Sequence, residues 1–571
     1  MTTMKRPVCY TIQFASILVV LLAVLLQGLT HAVNTKPLNG YTDELDTVPL
    51  RFSTYYDGTF QDYLTDYAKE NTGFREWAIR LYNQVSYSCF NKTHCHFITP
   101  GKDGYLFYSE AFREYYGIEP LHFYKTYDNA RGWAQKNVRM MNKLRYVLKD
   151  YGVEFLCFMA PDKAEIYSEY LPYHEPPKGN VIHTAAYYDS LMTAIGFPHV
   201  EMTKWYLAMK DTASFPLFPK RDTHWRYAAV YGFDSLFSYM DSLNGFGIPD
   251  IHVNQLIALD TEYLENDEQT LNLLFPIGND SPKYRADITI DCDEGCHKPK
   301  VLFVGDSFIW DLETYMPWKE ILADVEIWFY NKAAFVGFNK ERHPVTEINR
   351  LRSLLNADYV VWYSSGYQWS RASYDFVEDA LIQLCVTDSL FDAQIPWVMD
   401  SLGNDSAFKA KYYAQHYCEL STDSLRQYAI NLLKSNPELI PGLSGEAMPT
   451  IRNTKAIALA QQANTIANDQ LWKTTLEMAA SKTERSFAEL LDKEAENVLF
   501  GRPLLKDEIQ ADTATIIQYE VEKLINLWRN DPKQTLFLER KAKDKGKDYE
   551  TVMQEDARWV IQEKLINGEL F

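Results

Sequence analysis

The sequence predicts an α/β protein: a three-layer α/β/α domain with a mostly parallel sheet, followed by an all-helical C-terminal region. Three observations predict it. Short apolar runs at 153–159, 301–304, 325–330 and 359–363 have the length and composition of buried strands. Stretches of ten or more residues with helical spacing separate them, which favours parallel pairing under helices on both faces. From about residue 386 the character changes to helix after helix. At 571 residues the chain exceeds the ~250–300 residues at which single cores stop growing, so two or three domains are expected.

The first element is an apolar run over 12–29, preceded by Lys5 and Arg6. As a helix it is about 27 Å long, close to the ~30 Å hydrocarbon layer. Basic residues before it, with Asp43, Glu44 and Asp46 after it, keep the N-terminus in the cytoplasm. Thr30-His31-Ala32 also has the small residues of a signal-peptidase site. Segment 1–33 is therefore an anchor or a cleaved signal, and either one exports the rest.

Residues 53–88 read as helical, because Phe60, Leu64 and Tyr67, then Trp77, Leu81 and Val85, recur at helical spacing. The turn Gly101-Lys102-Asp103-Gly104 leads into a short strand at 105–108. A helix over 130–150, with Met140, Leu144 and Leu148 on one face, feeds the strand 153–159, which ends at Pro161-Asp162-Lys163. A helix over 181–195, a strand at 199–202, the loop Arg221-Asp222-Thr223-His224-Trp225 and a helix over 226–242 follow. Together 34–385 form one domain. In such sheets chemistry collects at the carboxyl ends of the strands.

Within 386–571 an internal repeat is expected, at about 454–499 and 516–561. Asn468-Asp469 through Val498 matches Asn530-Asp531 through Val560 at a constant offset of 62, pairing Leu476 with Leu538 and Ala495 with Ala557. Such units serve as a docking platform or simply as a helical cap, and no titratable cluster there suggests chemistry.

Composition narrows the function classes. The formal charge of −20 repels phosphate backbones and no basic stripe offsets it, so nucleic acid is excluded as a partner. Lys541, Lys543, Lys545 and Lys547 are interleaved with Asp544 and Asp548, which makes a solvated helix face. The 39 Tyr and 13 Trp suit sugar or peptide surfaces and equally fill cores. Cys89 with Cys95, and Cys292 with Cys296, flank short loops. Each pair either closes a local disulfide in an oxidising compartment or stays reduced. His94-Cys95-His96 lacks a second cluster at ligand spacing, so neither a metal nor a cofactor is expected.

Two motifs carry chemistry. Val301-Leu302-Phe303-Val304-Gly305-Asp306-Ser307 is a buried strand ending in a turn that presents the Ser307 hydroxyl at the strand's carboxyl end. There its own backbone N–H can help hold an oxyanion. The plain alternative is a serine capping a helix. Serine needs an adjacent base, and His224 in Asp222-Thr223-His224-Trp225 can supply it. Asp222, two residues before, can fix the imidazole tautomer through Nδ1. The alternative is a structural loop in which Asp222 caps the next helix. Asn331, just after a strand, is an oxyanion candidate or a simple turn residue.

These elements together resemble the SGNH-type alginate O-acetyltransferases of the AlgJ/AlgX class, in which an Asp-x-His-Trp element precedes the Gly-Asp-Ser element. The likeness runs through Phe74-Arg75, Asn83, 101–107, Pro161-Asp162-Lys163 and Tyr170-Leu171-Pro172, and covers roughly 50–370. It implies an SGNH-like fold, with Ser307 as nucleophile, His224 as base and Asp222 as orienting acid. It also implies an acetyl-serine intermediate, a polysaccharide acceptor, a membrane-bound O-acyltransferase as acetyl donor, and a periplasmic location, tethered by the N-terminal helix or free after signal cleavage. The C-terminal region does not resemble the carbohydrate-binding module of the AlgX form. The segment 360–367, with Tyr363 as a candidate substrate residue, diverges where the family has a strand leading to active-site residues. A carbohydrate acetylesterase with the same triad, or a non-catalytic glycan-binding protein on this scaffold, are the competing readings.

Overall fold

The computed structural model describes residues 6–40, 45–175, 177–245, 247–259, 266–278, 282–292, 295–371, 374–416, 418–482, 485–499 and 513–566. The N-terminal apolar run forms helix α1 (Arg6–Thr30). Helices α2 (Phe52–Tyr56), α3 (Thr59–Glu70) and α4 (Arg75–Phe90) follow. The glycine-bounded turn at 101–104 joins β1 (Ile98–Pro100) to β2 (Leu106–Tyr108) as an antiparallel pair.

The α/β alternation starts at α5 (Tyr127–Lys149), whose first turn is capped by the Thr126 hydroxyl. It continues through β3 (Glu154–Ala160), α6 (Thr184–Ala194), β4 (His199–Glu201) and α7 (Ala229–Asn244). Next come β5 (Asp250–Leu259), α8 (Asn266–Thr270), β6 (Lys283–Asp291) and β7 (Lys300–Gly305). The last elements of the sheet region are α9 (Trp310–Tyr315), β8 (Asp324–Phe329), β9 (Ala333–Val336), β10 (Glu341–Pro344) and β11 (Tyr359–Ser365).

Seven strands form one sheet in the order β10-β9-β8-β7-β11-β3-β4, parallel from β8 through β4, with β9 and β10 added antiparallel at one edge. The central strands are apolar on both faces, and their alternation divides the core. Phe155, Cys157, Leu302, Val304, Val360 and Trp362 point to the side where α5 packs with Met140, Leu144 and Leu148. Leu156, Phe158, Val301, Phe303, Val361 and Tyr363 point to the other side, against Val230, Phe233 and Phe237 of α7. Burial on both faces is why these strands read as continuous apolar runs.

The hairpins β5–β6 and β9–β10 carry no such run. Val253, Leu256, Ile288 and Ile290 are half-buried against the core while neighbouring residues face solvent, so polar side chains interrupt the apolar pattern. Cys292 and Cys296 are joined by a disulfide, whereas Cys89 and Cys95 remain separate thiols. His94 bonds the Ser86 hydroxyl and stacks on Tyr82.

The core on the α5 side does not end with the sheet. It runs on through α10 (Phe376–Cys385), α11 (Asp388–Asn404) and α12 (Thr422–Ser435) to Ile457 and Ala460 of α13 (Thr454–Asn468). Lys143, buried on α5, donates from Nζ to the carbonyls of Leu443 and Gly445. Helices α14 (Gln470–Lys482) and α15 (Phe487–Leu499) build a separate small core with the end of α13. Helices α16 (Thr513–Arg529), α17 (Pro532–Lys545) and α18 (Tyr549–Ile566) build another. Leu476, Leu490, Leu491 and Ala495 are buried in the first unit, and Leu538, Val552, Met553 and Ala557 stand buried 62 residues later.

Candidate active site

Strand β7 delivers the serine. A Cβ on Gly305 would collide with the Tyr363 carbonyl of β11, so close approach of the neighbouring strand requires glycine here. Asp306 is fully buried. It accepts from the Phe308 N–H at 3.0 Å, the Ser365 N–H at 2.8 Å and the Ser365 hydroxyl at 2.6 Å, which pins the turn to the end of β11. Burial still raises its pKa, against the lowering effect of those hydrogen bonds. Ser307 then opens a 3₁₀ turn that runs into α9.

The histidine loop is held residue by residue. Lys163, from the motif after β3, donates to the carbonyls of Leu106 (2.7 Å), Lys220 (2.7 Å) and Asp222 (3.0 Å). Arg221 pairs with Glu268 of α8 at 2.8 Å, both buried, and the Thr223 hydroxyl donates to Asp267 at 2.8 Å. Trp225 is fully buried with its ring over Gly232, where any Cβ would strike it.

Between these supports, His224 Nε2 lies 2.8 Å from Ser307 Oγ, and Nδ1 lies 3.2 Å from Asp222 Oδ1. An ionised carboxylate only accepts, so Nδ1 carries the proton and Nε2 is the acceptor facing the serine hydroxyl. The second Asp222 oxygen accepts from Arg226 Nε at 2.8 Å and Nη2 at 2.6 Å. Arg226 also donates its backbone N–H to Asp311 at 3.0 Å. Burial works against ionising Asp222, but the His224 hydrogen bond and the Arg226 charge outweigh it and hold the carboxyl well below the usual range. Burial pulls His224 down, the hydrogen bond and charge of Asp222 push it up more strongly, and its pKa ends above the ordinary imidazole value. Asp311 is pushed up to about 6 by burial, against the pull of His224 and Arg226. His224 keeps 23% of its side chain exposed, so the proton-accepting group stays in reach of solvent.

The two secondary candidates part ways. Tyr330 and Asn331 both have left-handed backbone, at φ +50° and +52°, and the Tyr330 N–H returns to the Gly305 carbonyl at 2.8 Å. This brings the Tyr330 phenol to the Ser307 side chain. Asn331 Nδ2 donates to the Tyr374 carbonyl at 3.0 Å, and its Oδ1 is buried with no partner among the described residues. Tyr363 is fully buried, stacked between Phe158 and Phe233, with its hydroxyl 3.4 Å from the Phe308 carbonyl. It therefore packs behind the serine turn, because its position on β11 points it into the α7 side of the core.

Sequence reasoning missed Arg226, Asp311, Glu268, Asp267 and Tyr330. Arg226 directly follows the Asp222–Trp225 motif, and that adjacency was the one available signal. The others come from distant segments with no pattern of their own.

Residues 98–231 match the family model described as SGNH hydrolase-like domain, acetyltransferase AlgX. That segment holds Asp222 and His224 and stops short of Ser307. Among solved structures, the chain is similar to the O-acetyltransferase domain of Pseudomonas putida AlgJ, at 15% identity and TM-score 0.33, over 50% of this chain and 98% of that one. Pseudomonas aeruginosa AlgX matches at 13% identity and TM-score 0.29, over 50% of this chain and 65% of its own. Bacillus cereus PatB1 with a sulfonyl adduct matches at 12% identity and TM-score 0.28, over 42% and 91%. No curated protein matches the chain. Through residues 98–231 the chain is similar to the SGNH hydrolase-like domain of the AlgX acetyltransferases, and it resembles the alginate O-acetyltransferase-like family.

Proposed function

We propose that the protein is an extracytoplasmic O-acyltransferase that moves acetyl groups, through Ser307, onto hydroxyls of an exported polysaccharide. The observation that carries this reading is the 2.8 Å contact between His224 Nε2 and Ser307 Oγ, with Asp222 on the far imidazole nitrogen. Ser307 Oγ attacks the carbonyl carbon of an acetyl ester while its proton passes to His224 Nε2, and Asp222 stabilises the imidazolium. The tetrahedral oxyanion is held by the Ser307 N–H. Collapse breaks the ester bond, and the leaving alcohol takes the proton from His224. A sugar hydroxyl then gives its proton to His224, attacks the acetyl-serine and releases Ser307 with its proton restored. Helix α1, long and apolar enough to cross a bilayer, supports retention at the membrane, where a membrane-bound acyltransferase can supply acetyl groups.

The test is acetyl transfer from an activated acetyl ester to glycan oligomers, followed by mass spectrometry of sugar and protein. The native chain should give acetylated sugar and an acetyl adduct on the peptide containing Ser307. Ser307→Ala should lower turnover by on the order of 10³-fold or more with the fold intact. Free acetate without acetylated sugar would assign the triad to an esterase. Unchanged transfer by Ser307→Ala would remove the enzymatic reading altogether.

A further inference from the structure

Helix α4 is amphipathic the wrong way round for a protein in water. Its polar side faces the body of the molecule. Glu76 accepts from the Thr35 hydroxyl at 3.0 Å, Arg80 donates to the carbonyls of Lys36 and Pro37 at 2.8 and 2.7 Å, and Asn83 donates to the Leu271 carbonyl at 2.8 Å. Its apolar stripe, Trp77, Leu81 and Val85, points outward, with Trp77 and Leu81 each 56% exposed. Arg80 is the one residue that α4 buries, and α2 and α3 bury none among their residues. Phe52 and Tyr56 on α2 and Leu64 on α3 extend the exposed apolar surface. A helix on a globular body normally turns its apolar stripe inward, and a contiguous outward one marks a surface that something apolar covers.

What covers it follows from where α1 ends. A Cβ on Gly73, in the α3–α4 junction, would collide with the Val24 carbonyl of α1, and one on Gly28 of α1 would collide with the Asn71 carbonyl. The two backbones are therefore in direct contact. The Gln27 side-chain amide accepts from the Val33 N–H at 2.9 Å and donates to the Val33 carbonyl at 2.7 Å, which fixes the exit from α1. The next residues strap along α4 through the Thr35, Lys36 and Pro37 bonds. The span long and apolar enough to cross a bilayer runs from Tyr10 to Thr30. Val24 to Gly28 thus sit within roughly 10 Å of its outer end, the depth of the headgroup and acyl boundary.

We infer that α2–α4 form an interfacial membrane-binding element, whose outward apolar faces lie in the outer boundary of the bilayer that α1 crosses. The inference rests on the reading of α1 as a retained anchor and adds how the body is held against that membrane. Tyr and Trp favour this boundary, where one part of the ring is dry and the other wet, and Phe and Leu fill the apolar face of an interfacial helix. Over 51–90 there are four basic and five acidic side chains, so attachment is apolar and does not call on anionic lipid. The tether also confines the triad to the layer of solvent next to the membrane, where an acyl donor embedded in the bilayer would present its product.

The full chain, with Cys9, Cys89, Cys95 and Cys418 replaced by serine, can carry a fluorophore at Leu81→Cys, at Leu21→Cys in α1, or at Lys434→Cys on the remote helical region. In phosphatidylcholine vesicles containing lipids brominated both near the headgroup and near the chain ends, the labels at 21 and 81 should be quenched at least twofold more than the label at 434. Quenching at 21 but not at 81 overturns the interfacial element and leaves the anchor standing. Quenching at neither site removes the anchor and this proposal with it. A label at 81 that is shielded from aqueous iodide yet untouched by brominated lipid means that protein covers the face, a second copy or a membrane-embedded partner, and overturns the proposal. Quenching at 81 only in the presence of anionic lipid overturns it too.

Discussion

Asp222 serves two partners with its two oxygens, and the balance between them sets the basicity of His224. Oδ1 meets the imidazole, while Oδ2 takes both contacts from Arg226. Asp222→Asn would let an amide face Nδ1 and favour the wrong tautomer. Acyl turnover should fall by on the order of 10⁴-fold with the melting temperature little changed, a result read from initial rates beside thermal unfolding. Arg226 acts in the opposite direction on the histidine, because its positive charge lowers the His224 pKa. The proposed reaction needs neutral imidazole, so activity should be lost as pH falls through that pKa. Arg226→Gln removes the charge and should move the acid limb of kcat/KM to higher pH; a limb that stays in place would show that Arg226 only packs. The Asp222–His224 contact is written in the sequence because a single residue separates the partners. The His224–Ser307 bond spans 83 residues and was legible only because each partner stands in a recognisable motif. Asp311, 85 residues from Arg226, stands in none.

At the scale of elements, the site is a meeting of strand ends held by buried polar ties. β7 and β3 flank β11, so the turn carrying Ser307, the Pro161-Asp162-Lys163 segment and Ser365 emerge side by side. A second tie joins the helix Ser109–Tyr115 to the start of α6, where buried Glu114 accepts from the Thr184 N–H at 2.5 Å. Burial pushes this carboxyl up to about 8, against the Thr184 bond. The folded chain then keeps a proton that the unfolded chain releases between about 4.5 and 8, so this group's contribution to stability declines as pH rises through that window. Glu114→Gln retains the acceptor and cannot ionise. Its melting temperature relative to the native chain should climb from pH 5 to pH 8 and level off above, and a difference independent of pH would count against the assignment. The central strands were legible because burial on both faces leaves an unbroken apolar run. The β5–β6 hairpin was not, since one face is wet and its apolar residues are diluted.

For the whole molecule, the core shows where the chain can be cut. The cluster beside α5 includes Ile395, Val398, Leu433, Ile440 and Ala460, so ending the chain at 385 removes one wall of the α/β body. α16–α18 have their own cluster of Val521, Leu538, Val552 and Ile561. A chain ending at residue 499 should stay soluble in detergent and keep its turnover of a small acetyl ester within about threefold, while one ending at 385 should aggregate, as size-exclusion chromatography would show. If the shorter chain folds and the longer does not, this division of the core is wrong. The sequence by itself determined the α/β order of the central strands, the apolar span of α1 and the three residues that resemble a triad, because apolar period and short-range motifs are local properties. Only the tertiary structure decided that Tyr363 packs behind the serine turn, that Lys163, Glu268 and Arg226 hold the histidine loop, and that the stripe on α4 faces outward. Periodicity says that a helix has two faces; which one meets the protein depends on partners brought in from elsewhere along the chain.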